Sequence, residues 1–251
     1  MLNDSAEPLN CWDIKAVLDS GTAPKNDLYG LLYFHLLPQL EKFSACIHTE
    51  DLHFTLLSVD ARTIAQALQN SVSKHGVTTF DRIDVSNLSD RFYVGVPEIL
   101  RVISPLLKPR SENPHAALIT LFLNYHAEVE QLLPQQAKSN LTKSILEAAK
   151  YLPVKPRRGH DDPALMKLIT IQGFLKDSEK LWKYYQKDSM FEIAAELSGM
   201  EQREVGKIIA ARPYRLKKEG GKGKVMEQID LLQISGLNGS ERYVEWVRAG
   251  G

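Results

Sequence analysis

Two cysteines in 251 residues, Cys11 and Cys46, form no CxxC pair and no metal-ligand spacing. That excludes a disulfide framework and fits a reducing compartment. Net charge is also missing: 31 basic side chains balance 31 acidic ones, so no global field draws the chain to nucleic acid or membrane. Binding of that kind must come from local patches. The seven histidines show no HExxH or comparable spacing, so no metal site is expected. No apolar run approaches membrane-spanning length, and the polar start MLNDSAEPLN lacks a signal-peptide core. The expectation is a soluble, cytoplasmic protein with no membrane partner.

What is present is a strong strand signal. From Ala116 to Leu123 the run AALITLFL is apolar except at Thr120, as in a strand buried on both faces of a parallel sheet. Phe80 to Ser86 reads as a second strand, with Ile83 and Val85 opposite Arg82 and Asp84. Between them Val96, Ile99, Leu100, Ile103 and Leu107 recur at helical spacing, with Pro97 in the first turn. The three make a βαβ unit with an expected right-handed crossover. Ligand crevices in such sheets lie beyond the carboxyl ends of the strands, here 86–91 and 124–126.

Along the chain, Cys11–Leu18 reads as a short helix, and Asn26 or Asp27 caps a long apolar one over 28–47 that Pro38 should kink or divide. Leu31, Leu32, Tyr33, Phe34, Leu36 and Leu37 imply burial on more than one face, against the sheet and at a homodimer contact. Leu52–Val59 (LHFTLLSV) reads as a strand parallel to the other two, ending at Asp60 and Arg62. Helices are expected at about 127–150, 163–187, 189–198 and 201–211, making 127–211 a helical insertion into a single α/β domain. Arg212–Lys224 is a basic, glycine-rich, mobile loop. Val225–Ser235 and Arg242–Arg248 flank GLNGSE and read as a terminal β-hairpin.

FDRIDVSNLSD at 80–90, PLLKPRSENPHAALITLFLN at 105–124 and GSERYVEW at 239–246 resemble a family of fungal proteins of unassigned function. Its members are often fused to a MYND-type zinc finger and share a Rossmann-like, methyltransferase-type core. The resemblance spans most of the chain from about Tyr29. It implies a Rossmann-like three-layer α/β sandwich, with a mostly parallel sheet closed by a C-terminal antiparallel hairpin. Longer members carry upstream a first strand and a glycine-containing loop that this sequence is expected to lack. Its early glycines, Gly21 and Gly30, form no GxGxxG turn, so no S-adenosylmethionine cradle and no cofactor are expected. The compact format and missing cofactor half also resemble stand-alone fungal arginine-containing cyclodipeptide synthases. That resemblance implies arginyl-tRNA and a second charged tRNA as partners.

Such a reaction requires a pocket, and an acyl-enzyme route adds a nucleophile with a base in reach. Ser86 and Ser89 are the hydroxyls at the predicted crevice, and His126 is the candidate base. Asp60, Asp84 and Asp90 are carboxylates for a guanidinium, with Asn87 and Asn124 beside them. Glu241 and Glu245 form a second acidic set at the predicted hairpin. Each has a structural alternative: Ser, Asn and Asp after a strand cap helices and turns, Asp84 can pair with Arg82, and edge charges guard against strand pairing. Arg157 and Arg158 in one break, with Arg212, Arg215, Lys217, Lys218, Lys222 and Lys224 in another, would track a tRNA backbone or simply solubilise a linker. The leading expectation is an aminoacyl-tRNA-dependent transferase forming an arginine-containing cyclic dipeptide. Its rivals are a non-catalytic interaction module and a divergent S-adenosylmethionine-dependent methyltransferase.

Overall fold

In a computed structural model, residues 14–21, 26–71, 79–132, 178–203, 207–209, 221–234 and 241–250 are described, with Trp12, Ala23, Pro24, Leu146, Ala149 and Lys150. They divide between two compact units. One comprises Met1–Leu57, Ser144–Leu175 and Leu216–Gly239; the other comprises Ser58–Lys143, Lys176–Arg215 and Ser240–Gly251. Among the described residues the fold is α/β and mostly helical, with a single mixed sheet of four strands.

The first unit holds helices α1 (Ile14–Asp19), α2 (Leu28–Thr49) and α8 (Gly221–Ile234). Asp27 caps α2 by accepting the Gly30 N–H at 2.9 Å, as its position before the apolar run predicts. Pro38 lies inside α2 and does not divide it. Val17 of α1 packs with Leu31 and Leu32 of α2 in a small core. The expected strand at Val225–Ser235 is instead helix α8. Val225 and Ile229, four residues apart, lie on one buried helical face, so the period is 3.6 and the hairpin disappears.

The second unit contains the sheet, in the order β1-β2-β4-β3: β1 (Arg82–Asp84), β2 (Ala117–Phe122), β4 (Arg242–Arg248) and β3 (Met200–Gln202). As expected, β1 and β2 are parallel, with Ile83 opposite Leu118. β4 runs antiparallel to both β2 and β3, so the sheet is mixed rather than mostly parallel. Thr120, the one polar residue of β2, is buried; its Oγ1 receives the Trp246 indole N–H at 3.0 Å and reaches the Val244 carbonyl at 3.3 Å. That pairing explains a hydroxyl in an otherwise apolar strand.

Helix α4 (Val96–Ile103) joins β1 to β2 with Pro97 in its first turn, and Val96, Ile99, Leu100, Val102 and Ile103 are buried. The remaining helices of this unit are α3 (Ile64–Ser71), α5 (Tyr125–Leu132), α6 (Ser178–Asp188) and α7 (Phe191–Ser198). Trp182 meets Phe122 and Tyr125 edge-on, each at 5.1 Å between centroids, and Phe191 lies 5.5 Å from Trp246. Gly199 ends α7 at φ +62, and the chain then enters β3, so the helix expected over 201–211 does not form at 201–203 or 207–209; 204–206 and 210–211 lie outside the described residues. The strand expected at Leu52–Val59 is absent too: residues 51–60 make no ladder, and Phe54 and Leu56 are 71% and 96% exposed. Strand propensity reflects fit to a half-buried pleated surface, and this run is not buried on one.

Candidate functional site

The carboxyl ends of β1 and β2 deliver two segments, 85–94 and 123–128, which lock each other in place. Asp90 is fully buried, and its Oδ2 accepts the backbone N–H groups of Leu123 (3.3 Å) and Asn124 (3.1 Å) and the Asn124 side-chain amide (2.8 Å). Glu128 of α5 reaches back: its Oε1 accepts the Phe92 N–H at 2.8 Å and its Oε2 the Arg91 N–H at 3.2 Å. Tyr185 of α6 hydrogen-bonds Glu128 and also lies 3.2 Å from the Arg91 nitrogen. Outside this buried layer, Arg91 forms an ion pair with Asp188 at the end of α6.

Burial is the main influence on the Asp90 carboxyl, raising its pKa to about 6, with the Glu128 charge adding to it against the opposing N–H donors. Burial, then Glu128, pushes the Tyr185 hydroxyl well above its usual range, so it remains a neutral donor. Two atoms of this buried layer, Ser89 Oγ and Asp90 Oδ1, have no hydrogen-bond partner within the protein. Such atoms are uncommon in folded interiors.

Above this layer the chain is exposed and bent. Ser86, two residues past the end of β1, has φ +49, a left-handed conformation that non-glycine residues seldom adopt. Asp84 Oδ1 accepts the Ser86 N–H at 2.7 Å, making the Asx turn that sequence alone allows, and both residues are exposed. The expected base, His126, is buried in the first turn of α5, its ring edge-on to Tyr125 at 4.5 Å. Asn87 is half-buried, and its carbonyl accepts the Asp90 N–H at 3.1 Å.

The other expected carboxylates serve elsewhere. Asp60 grips the Arg62 guanidinium through both oxygens and caps the turn 61–63, which packs on α4; the Arg62 hydrogen bonds hold its pKa down, at about 2. Glu245 is buried in β4. Burial pushes its carboxyl up, but the backbone N–H groups of Ile208 and Ile209 (2.7 and 3.1 Å) and the Arg203 guanidinium (3.0 Å) outweigh that and lower it. Glu241 is buried just before β4, next to Arg242, which pairs with Glu179 and lies 5.4 Å over the Trp182 ring. Neither glutamate guards an edge, because β4 is an interior strand.

Arg157, Arg158, Arg212, Arg215, Lys217 and Lys218 lie outside the described residues. Lys222 and Lys224 stand in the first turn of α8 rather than in a loop, with Lys224 exposed. Among the described residues no group of three or more His, Cys, Asp or Glu is placed to hold a metal, and no helix is long and apolar enough to cross a membrane. Comparison with known protein families, curated proteins and solved structures gives no match.

Sequence reasoning missed Glu128 and Tyr185. Glu128 sits one position before Val129 in a segment whose apolar pattern is weak, and its buried role depends on a loop 36 residues upstream. The one local signal was the acidic residue in the first turn of a helix that follows a strand.

Proposed function

We propose that this chain is an aminoacyl-tRNA-dependent transferase that forms an arginine-containing cyclic dipeptide at the carboxyl ends of β1 and β2. The observation that carries the reading is the Asp84–Ser86 turn: an exposed serine in a left-handed conformation, whose backbone N–H is held by a carboxylate at the end of a parallel strand. Strain of about 1–3 kcal/mol at such a residue persists where surrounding structure enforces it, and it is concentrated at functional sites. Asp84 spends one oxygen on the Ser86 N–H and leaves the other to face a guanidinium.

In the covalent route, Ser86 Oγ attacks the arginyl ester carbonyl and the tRNA ribose oxygen leaves with the serine's proton. The α-amine of the second aminoacyl-tRNA then attacks the seryl ester, forming the peptide bond and restoring the hydroxyl. The new dipeptidyl ester closes on itself when its free amine attacks the remaining ester, releasing the second tRNA. In the direct route the second amine attacks arginyl-tRNA without Ser86 as nucleophile.

A non-catalytic interaction module is the second reading, favoured by the exposed apolar side chains of α2, including Tyr33, Leu40 and Phe43. Mass spectrometry of cells expressing the protein separates the two. A new arginine diketopiperazine is expected, reduced strongly in Asp84→Asn and abolished in Ser86→Ala if the route is covalent. Ser86→Gly relieves the left-handed backbone and should raise stability by up to about 1 kcal/mol while, in the covalent route, losing the same product. No diketopiperazine from wild-type protein rejects the transferase, and calorimetric binding of S-adenosylmethionine would favour the methyltransferase reading instead.

A further inference from the structure

Helix α2 carries two distinct apolar faces. Leu31 and Leu32 are buried in the small core with Val17 and Leu36 is partly buried against it, yet Tyr29, Tyr33, Leu40, Phe43 and Ile47 remain open to solvent. Tyr29, Tyr33, Leu36, Leu40, Phe43 and Ile47 follow one another at alternating steps of four and three residues. At 100° per residue these six fall within an arc of about 80°, a seam of the a/d type rather than a broad core-facing stripe. Tyr29, Tyr33, Leu40 and Phe43 are each more than half exposed, and Ile47 is 43% exposed. Pro38 projects from the opposite side of the helix, so its ring leaves the seam uninterrupted.

We propose that this seam binds a second copy of the chain as an antiparallel, two-fold helix pair centred on Pro38. The spacing is its own mirror about residue 38: Tyr29 faces Ile47 of the second copy, Tyr33 faces Phe43, and Leu36 faces Leu40. Every layer is apolar, and the pairing is isologous, as a closed dimer requires. The flanking positions that select coiled-coil partners by charge are Gly30, Leu32, Leu37, Gln39, Ser44 and Cys46, and none is charged. A like copy therefore meets no repulsion, and a charged foreign helix gains no complementary pairs. Antiparallel packing also sets opposite helix dipole ends side by side. Half-exposed aliphatic and aromatic side chains cover about 100 Å² each, so the five open ones of each copy bury roughly 1,000 Å², the threshold for a specific interface, and the partly buried Leu36 adds a smaller share.

The proposal is independent of the transferase reading and is tested by mass, not by product. Sedimentation equilibrium of the full chain across a concentration series should show a reversible dimer, with Leu40→Glu and Phe43→Glu each weakening it at least tenfold. Far-UV circular dichroism should be unchanged, since both side chains are exposed in the protomer. Leu56→Glu, a change to a 96% exposed apolar side chain outside the seam, should leave the dimer intact. Orientation is read by mixing Leu36→Cys with Leu40→Cys chains in a background where Cys11 and Cys46 are serine. Antiparallel pairing gives the mixed disulfide. Wild-type protein that stays monomeric at every concentration, a dimer insensitive to both seam variants, or disulfides formed only between identical chains would overturn the proposal.

Discussion

Asp90 shows how a residue chosen for chemistry serves the fold. Its Oδ2 holds the N-terminal approach to α5, and Glu128 returns the same service to Arg91 and Phe92. Because the folded pKa, about 6, lies above the ordinary 3.8, the protonated form is the one the fold favours. This contribution is complete below the unfolded value and is lost as pH rises through 6. Stability should therefore rise by about 1 kcal/mol from pH 7.5 to pH 5, before protonation of carboxylates with depressed pKa reverses the trend. Asp90→Asn, which keeps an acceptor for the same donors, should flatten that slope. Urea unfolding at several pH values measures both proteins, and an equal slope in the variant would assign the titration to another group. From the sequence, 86–90 reads as a turn or as a site, and the structure divides the segment by burial. Asp84 and Ser86 are exposed in a strained turn, whereas Ser89 and Asp90 lie beneath it. Exposure at this resolution depends on what packs from Tyr185, 95 residues past Asp90, and no local pattern carries it.

At the scale of elements, legibility followed the burial of each segment. β2 and α4 were legible because burial on both faces, or on one helical stripe, writes an unambiguous period into the chain. Val225–Ser235 was misread because a short apolar run bounded by glycines satisfies either period, and Leu52–Val59 because propensity alone does not supply a ladder partner. β4 was found but given the wrong neighbours; it pairs with β2 and β3, one of them a three-residue strand too short to register in sequence. The β2–β4 pairing rests in part on Trp246 donating to Thr120, both buried at the centre of the sheet. Thr120→Val keeps the shape and removes the acceptor, so it should cost about 1–3 kcal/mol by stranding the indole N–H. In a Trp246→Phe background that donor is already gone, and the same change should cost about 1 kcal/mol less. Chemical denaturation of the four proteins completes the cycle; additive losses would mean that the bond contributes nothing to the pairing.

Over the whole molecule the charge is zero, so binding of a tRNA under the proposed function has to come from a concentrated patch. Lys222 and Lys224 occupy the first turn of α8, where the helix dipole disfavours cations. An incoming phosphate would offset that unfavourable placement, drawing on the dipole and the ammonium groups together. Lys217 and Lys218 precede them in the sequence and carry two further positive charges. Each phosphate neutralised releases condensed counterions, which makes affinity fall with salt in proportion to the number of contacts. Replacing Lys217, Lys218, Lys222 and Lys224 by alanine should weaken tRNA binding and reduce the slope of log K against log salt by up to about 3, at roughly 0.7 per contact. The fold should survive, because alanine is the better helix former at the two α8 positions. Filter binding of charged and uncharged tRNA at several salt concentrations gives the slope, and circular dichroism checks the helix. A variant with wild-type affinity and slope would exclude this patch from tRNA recognition. A loss of affinity with no change in slope would point to displaced non-ionic contacts instead of phosphates.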